Sequence, residues 1–279
     1  MPSLTRRLLL KLTTVAGASL GLTKTSRGQN RAGDAPLPTF QDAWQNTHDR
    51  IWLGADVWAN PLEDWRVIEG AAECQNSGGN RNIHLTTHQL TNPRGVISMS
   101  VTVAQVAIDK EDGGAGFRLG IRSDINEYRS NCFARGGIDA GLINGKLVLG
   151  RKSVSVNQPE ESNPVTLQLL GAPAGNAYQL RLTASDSQGN LLGEATEKVN
   201  QDDIAGNVAL VCNYKAQLNA GQGARYRFSK WSVGGDAFTV NEEHRFGPIL
   251  WSMYSLSDSR SDDGFVMKIT ALTGPLGEQ

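Results

Sequence analysis

Apolar and polar residues alternate with a period of two wherever the chain is regular, and that period sends successive side chains to opposite faces of a strand. The run 96–107, VISMSVTVAQVA, is the longest example. It predicts a strand with every second residue in a core, although the pattern does not choose which phase faces inward. In 117–122, FRLGIR, the odd positions are apolar and the even ones are Arg or Gly. Arg118 and Arg122 are therefore predicted on the face opposite the core. The segment 225–231, RYRFSKW, alternates as cleanly. Shorter strands are predicted over 65–70, 82–87, 152–156, 165–170, 178–185, 191–199 and 206–213. Turn signals separate them. Asn144-Gly145 tolerates the positive φ of a two-residue hairpin, and 186–190, DSQGN, reads as another turn.

Eleven or twelve short strands counted from Trp65, with no internal repeat, predict an all-β fold. The expected architecture is a two-sheet antiparallel jelly-roll sandwich over residues 44–235 rather than an eight-stranded barrel or a propeller. The 31 glycines and 10 prolines among 279 residues agree with many turns. Residues 236–279 read as a tail: an apolar segment 245–254, a charged loop 258–264 and a strand 265–272. Two or three strands do not make an independent domain. The tail must pack on the sandwich, meet a partner or open a further unit.

The stretch 117–150 predicts two or three consecutive strands of one sheet. Asp124, Glu127, Tyr128, Arg129, Arg135 and Asp139 follow Arg118 and Arg122 closely. If the next strand pairs back on the first, these groups converge on one surface, which is the candidate ligand-binding face. Four tryptophans, Trp44, Trp52, Trp58 and Trp65, stand just upstream. Aromatics at this density either build a core or present flat faces to sugar rings. Trp65 begins a strand-like run and is expected in the core, whereas Trp52 and Trp58 sit in a loop marked by Gly and Pro and are candidate stacking plates.

The first 28 residues read as an export address. Arg6 and Arg7 precede the apolar run that starts Leu8-Leu9-Leu10, too short for a comfortable membrane span. The arginine pair and the moderate hydrophobicity resemble a twin-arginine (Tat) signal, with a linker over 29–43. A periplasmic or extracellular location is expected. The formal net charge of −1 and a pI near 6.4 argue against an electrostatic grip on nucleic acid or anionic lipid.

Other chemistry is sparse. Cys74, Cys132 and Cys212 lack any C-x-x-C spacing, so at most one disulfide can form, and buried free thiols are the expectation. His84 and His88 share a strand face at a separation of roughly 13 Å, too far for one metal ion. Retaining glycosidases need two carboxylates about 5–5.5 Å apart, and no Glu-x-Asp-x-x-Glu run supplies them. Asp124 and Glu127 lie three apart, on opposite faces of a strand. The 258–264 loop is acidic but lacks the ligand alternation of an EF-hand. A structural calcium ion there would rest on fold analogy alone, and no cofactor is expected.

The order of several blocks carries a resemblance. WANPLEDWR (58–66), NRNIHL (80–85), GFRLG (116–120), EYRSN (127–131) and GIDAG (137–141) together resemble the concanavalin-like, laminin-G-type jelly-roll domain that precedes the catalytic region in a subset of exported PhoD-type alkaline phosphatases (phosphodiesterases). The resemblance covers roughly residues 44–272. It implies that FGPILW (246–251) leads into an immunoglobulin-like module, and that the metal ligands of the phosphatase fall outside this chain. Three functions then compete: a non-catalytic carbohydrate- or polymer-binding accessory module; a truncated or split phosphatase component that docks a separate phosphatase domain through 245–272; and a glycan-active enzyme on the same scaffold.

Overall fold

A computed structural model describes residues 38–157, 163–247, 249–257 and 264–274. All belong to one unit that starts at Ala35. The proposed signal, most of the linker and the acidic loop up to Asp263 lie outside the described residues.

Two antiparallel sheets face each other. The first has the order β13-β12-β11-β6-β15-β4-β3, with β1 also on β15. Its strands are β1 (Pro38–Gln41), β3 (Trp65–Ile68), β4 (Ala71–Cys74), β6 (Ile97–Ile108), β11 (Val165–Ala174), β12 (Ala177–Ser185), β13 (Leu191–Asn200) and β15 (Ala224–Gly234). The second has the order β10-β9-β8-β7-β14-β5-β16, with β2 also on β5. It contains β2 (Val57–Asn60), β5 (Arg81–Leu90), β7 (Ala115–Ile121), β8 (Ile138–Ile143), β9 (Lys146–Leu149), β10 (Lys152–Ser155), β14 (Gly206–Cys212) and β16 (Phe238–Val240). The all-β sandwich expected from the alternation is therefore present, and β1 and β16 carry it past 44–235 on both sides.

The core lies between the sheets. β6 takes the odd phase, burying Ile97, Met99, Val101 and Val103, opposite the inward residues Leu167 and Leu169 of its neighbour β11. From the second sheet come Phe117, Leu119, Ile83, Leu85, Val208 and Leu210. Trp44, Trp65 and Trp231 are buried among them, which places Trp65 in the core as its strand position implied. Asn144 and Gly145 take φ of 48° and 68° and close the β8–β9 hairpin, as the Asn-Gly pair predicts.

The stretch 117–150 supplies β7, β8 and β9, consecutive antiparallel strands of one sheet, as expected. Residues 122–137, which join β7 to β8, are a loop with one short helix, α1 (Tyr128–Asn131), capped by the Glu127 side chain. Ser123, Asp124 and Asn126 favour local turn geometry over a ladder, and period-two alternation stops at Ile121. The tail forms the short C-terminal strand pair that goes with this fold: among the described residues β17 (Ile249–Ser257) and β18 (Val266–Thr273) pair only with each other, and nearly every residue in them is exposed. This hairpin is tied down at its root, where the Phe246 amide donates to Ala55 O at 2.6 Å and Arg245 meets Asp56 at 3.2 Å.

Candidate functional site

Cross-strand register sets one row of side chains across the outer face of the second sheet. Trp58 stands opposite His84, His84 opposite Ala209, Ala209 opposite Arg118 and Arg118 opposite Asp139. Arg118 does lie on the face away from the core, but Tyr214 covers it, with the guanidinium 5.8 Å from the ring centre. Its Nε donates to Asp139 Oδ1 at 2.6 Å and its Nη1 to Asn80 Oδ1 at 2.5 Å. Arg118 therefore serves to hold a carboxylate and is itself 5% exposed.

Asp139 is the end of the row and looks outward. Burial raises its carboxyl above the usual carboxylate range, against the lowering effect of Arg118. Only Oδ1 is engaged by a hydrogen bond among the described residues; the carboxylate borders a groove of about 740 Å³. The groove runs between the two sheets where the β8–β9 side of one approaches β13 of the other. Arg122, Arg151 and Lys198 line it with Asp139, Glu197, Asp203 and Asn200, over a rim of Gly120, Gly136, Gly137 and Gly150. Gly150 is required there: its φ is +55°, and a Cβ would lie 2.3 Å from Glu197 Oε2. Glu197 in turn accepts from the Arg151 amide at 2.9 Å. A Cβ at Gly136 would meet nothing within 4 Å. Fixed carboxylates, an amide, cations and close backbone suit a polyhydroxylated ligand, whose hydroxyls donate to some of these groups and accept from others.

The remaining candidates from the sequence do not join this surface. Tyr128 and Arg129 border a separate pocket of about 270 Å³ with Trp58, Phe133, His244 and Phe246. There the Tyr128 ring is stacked on His244 at 3.7 Å and Arg129 lies 5.3 Å from its centroid. Glu127 caps α1 and pairs with Arg129 at 3.0 Å. Asp124 and Arg135 are exposed elsewhere on the crossover. The expected convergence of 118–139 on one surface thus reduces to Arg118, Arg122 and Asp139, because the crossover leaves the sheet between them.

The loop tryptophans are occupied as well. Trp58 is met edge-on by Phe246 at 4.8 Å and by Phe133 at 6.4 Å. Over Trp52 the Arg50 guanidinium sits 5.4 Å from the ring centre. On the same indole, a Cβ at Gly274 would fall 2.6–2.9 Å from three carbons of the six-membered ring. Both indoles seat the root of the C-terminal hairpin instead of presenting open plates.

Sequence reasoning missed Arg151, Glu197, Lys198, Asn200 and Asp203. Arg151 follows β9 in the same sheet, and the other four come from β13 of the opposite sheet or just after it; they lie 33 to 85 positions downstream of Arg118, and nothing local marks them. It also missed the isolation of His84. This ring is wholly buried, neither nitrogen has a hydrogen-bond partner among the described residues, and burial followed by the nearby Arg118 charge holds its pKa down to about 3.

No family model and no curated protein matches the chain. Among solved structures it is similar to several lectins. Peanut lectin with a nine-residue peptide aligns with TM-score 0.45 and 10% identity over 67% of this chain and 93% of that one. A lectin from Bauhinia forficata in complex with GalNAc gives 0.45 and 8% over 72% and 98%, and lectin II from Ulex europaeus gives 0.43 and 12% over 71% and 99%. At these scores and identities, function must be argued from the side chains of this chain.

Proposed function

We propose that the chain is an exported, non-catalytic carbohydrate- or polymer-binding accessory module whose ligand seat is the groove beside Asp139. One observation carries this reading: a carboxylate locked in orientation by a buried arginine, with its second oxygen not hydrogen-bonded among the described residues, at the edge of a large polar groove. An arginine placed behind Asp139 fixes the acceptor before any ligand arrives, so little side-chain ordering is left to oppose binding. Arg122 and Lys198, which line the same groove, supply donors. The export signal at Arg6 and Arg7 and the blocks resembling the N-terminal region of PhoD-type phosphatases agree with a periplasmic or extracellular polymer as the ligand.

A glycan array probed with the full chain, Asp139→Asn and Gly136→Trp tests the proposal. Gly136→Trp adds bulk where the groove is open and should leave the melting temperature unchanged. The reading expects a defined set of saccharides bound by the parent and lost by both variants. It is wrong if the parent binds no saccharide, or if its pattern survives both substitutions.

A second reading draws on the hairpin. Tyr254, Leu256, Met267 and Ile269 are all more than half exposed on one face of β17–β18, which suits a tail that docks a separately encoded phosphatase domain. Replacing Tyr254 and Ile269 by Ser should then abolish co-purification with that domain while the sandwich stays folded. Unchanged co-purification rejects it.

A further inference from the structure

The fold brings two of the three cysteines together from opposite sheets. Cys74 ends β4 and Cys212 ends β14, and both are fully excluded from solvent. β4 pairs with β15 at Ala72–Phe228 and Glu73–Arg227, which carries Cys74 toward Tyr226. From the other side, the Cys212 thiol donates to the carbonyl of Ala224 on the same β15 at 3.4 Å and approaches the Tyr226 backbone. Both side chains belong to the same buried cluster as Ala224 and Tyr226, and the Cys74 thiol itself donates to Asn76 O at 3.1 Å. Cys132 is elsewhere, at the end of α1, with its thiol on Tyr128 O at 3.3 Å.

We propose that Cys74 and Cys212 form an oxidative modification site: an intramolecular disulfide that staples the two sheets together. Disulfide geometry demands adjoining backbone segments, and the ends of β4 and β14 both come to the Ala224–Tyr226 stretch of β15. The step is thiol–disulfide exchange with a small-molecule disulfide, for which oxidised glutathione is the probe. One cysteine thiolate attacks it and releases one glutathione; the second thiolate displaces the other. The protein gains one S–S bond, the oxidant loses one, two electrons pass to it, and the two cysteine protons end on two glutathione thiols.

Placement gives the bond a purpose. β4 holds to β15 through only two rungs, and β3 beyond it is the edge of the sheet yet carries the buried Trp65. A bridge from Cys74 to the central strand β14 ties that edge to the opposite sheet. It also closes a loop on the order of 140 residues, in the range where a cross-link most restricts the unfolded chain. Burial pushes the Cys212 thiol well above its ordinary pKa, and the neighbouring thiol adds to this. Exchange on the folded protein is therefore slow, and the bond forms during folding or when β3–β4 opens.

The test refolds the full chain in a glutathione redox buffer and, separately, under excess dithiothreitol. Oxidised protein should lose two hydrogens by intact mass, leave only Cys132 open to alkylation after denaturation, and give a Cys74–Cys212 linked peptide on digestion. Its melting temperature should exceed that of the reduced form by roughly 10 °C. Cys132→Ala should behave like the parent, and Cys74→Ala should lose both the mass change and the redox-dependent shift. Three free thiols after oxidative refolding, glutathione adducts at Cys74 and Cys212 without a bridge, or a bridge through Cys132 would each overturn the proposal.

Discussion

In β6 the inward residues Ile97, Met99, Val101 and Val103 are at most 4% exposed, whereas Tyr254, Leu256, Met267 and Ile269 in the C-terminal hairpin are 57–75% exposed. Both segments alternate, and both pair in antiparallel register. The difference is what lies above the face. β6 has strands on either side and a second sheet over its apolar row; the hairpin has one neighbour and no layer over it among the described residues. Burying a Leu- or Phe-sized side chain contributes about 1.5–3 kcal/mol, so the sandwich gains many such contributions and the hairpin almost none. What holds the hairpin is its own ladder and the seat of its root on Trp52 and Trp58.

The sharpest way to break this contrast is a pair of truncations. Phe228→Ala, in the core, should cost about 4 kcal/mol in chemical denaturation, while Ile269→Ala should stay within about 0.5 kcal/mol. Comparable losses would mean that the hairpin face is covered. Next in size is Arg118→Met, which leaves Asp139 partly buried without its partner and should cost about 3 kcal/mol. A near-neutral result would deny that this pair organises the outer face.

Proton linkage separates regions within the sandwich. His84 has a folded pKa near 3 against 6.5 for the free ring, so the unfolded chain binds more protons between those values and stability falls as pH drops below 6.5. At pH 5 this amounts to about 2 kcal/mol relative to pH 8. Asp42 acts in the other direction. Burial raises its carboxyl to about 6, against hydrogen bonds from the Trp231 and Trp44 amides. The folded state thus holds the extra proton, and stability gained below pH 4 is lost as pH rises through 6. At pH 5 the gain is about 1 kcal/mol. Thermal melts of His84→Phe should lose the acid destabilisation, and those of Asp42→Asn should deepen it. Identical pH profiles for parent and variants would refute both assignments. The smallest effect is expected from Trp52→Ala: little change in global melting, with faster proteolytic cleavage of the 249–274 hairpin as its root loosens.

Strands were legible because β6 and β7 alternate and the β8–β9 and β12–β13 turns carry Asn-Gly and Asp-Ser-Gln-Gly; the alternation expected of 225–231 breaks in β15 at Lys230, whose φ of 54° and shifted register bury Trp231 as well as Phe228. The register that sets Arg118 beside Asp139 was half legible. Both residues stood out, but the crossover between them did not, since a capped one-turn helix leaves no periodic trace. The groove could not be read at all. Lys198 and Asp203 line one groove with Asp139 only because two sheets close on each other, and such long-range closure has no local signature. The tryptophans misled for a related reason: loop position predicts exposure only until another segment, here Phe246 and Gly274, packs against the ring.

Affinity electrophoresis through gels that each carry a different immobilised polysaccharide bears most directly on the groove. The parent should be retarded in at least one gel, and Asp139→Asn, destabilised but still folded at the temperature of the gel, should migrate there as it does in a blank gel. Free migration of the parent in every gel, or equal retardation of parent and variant, would contradict the assignment of Asp139 and its groove as the ligand seat.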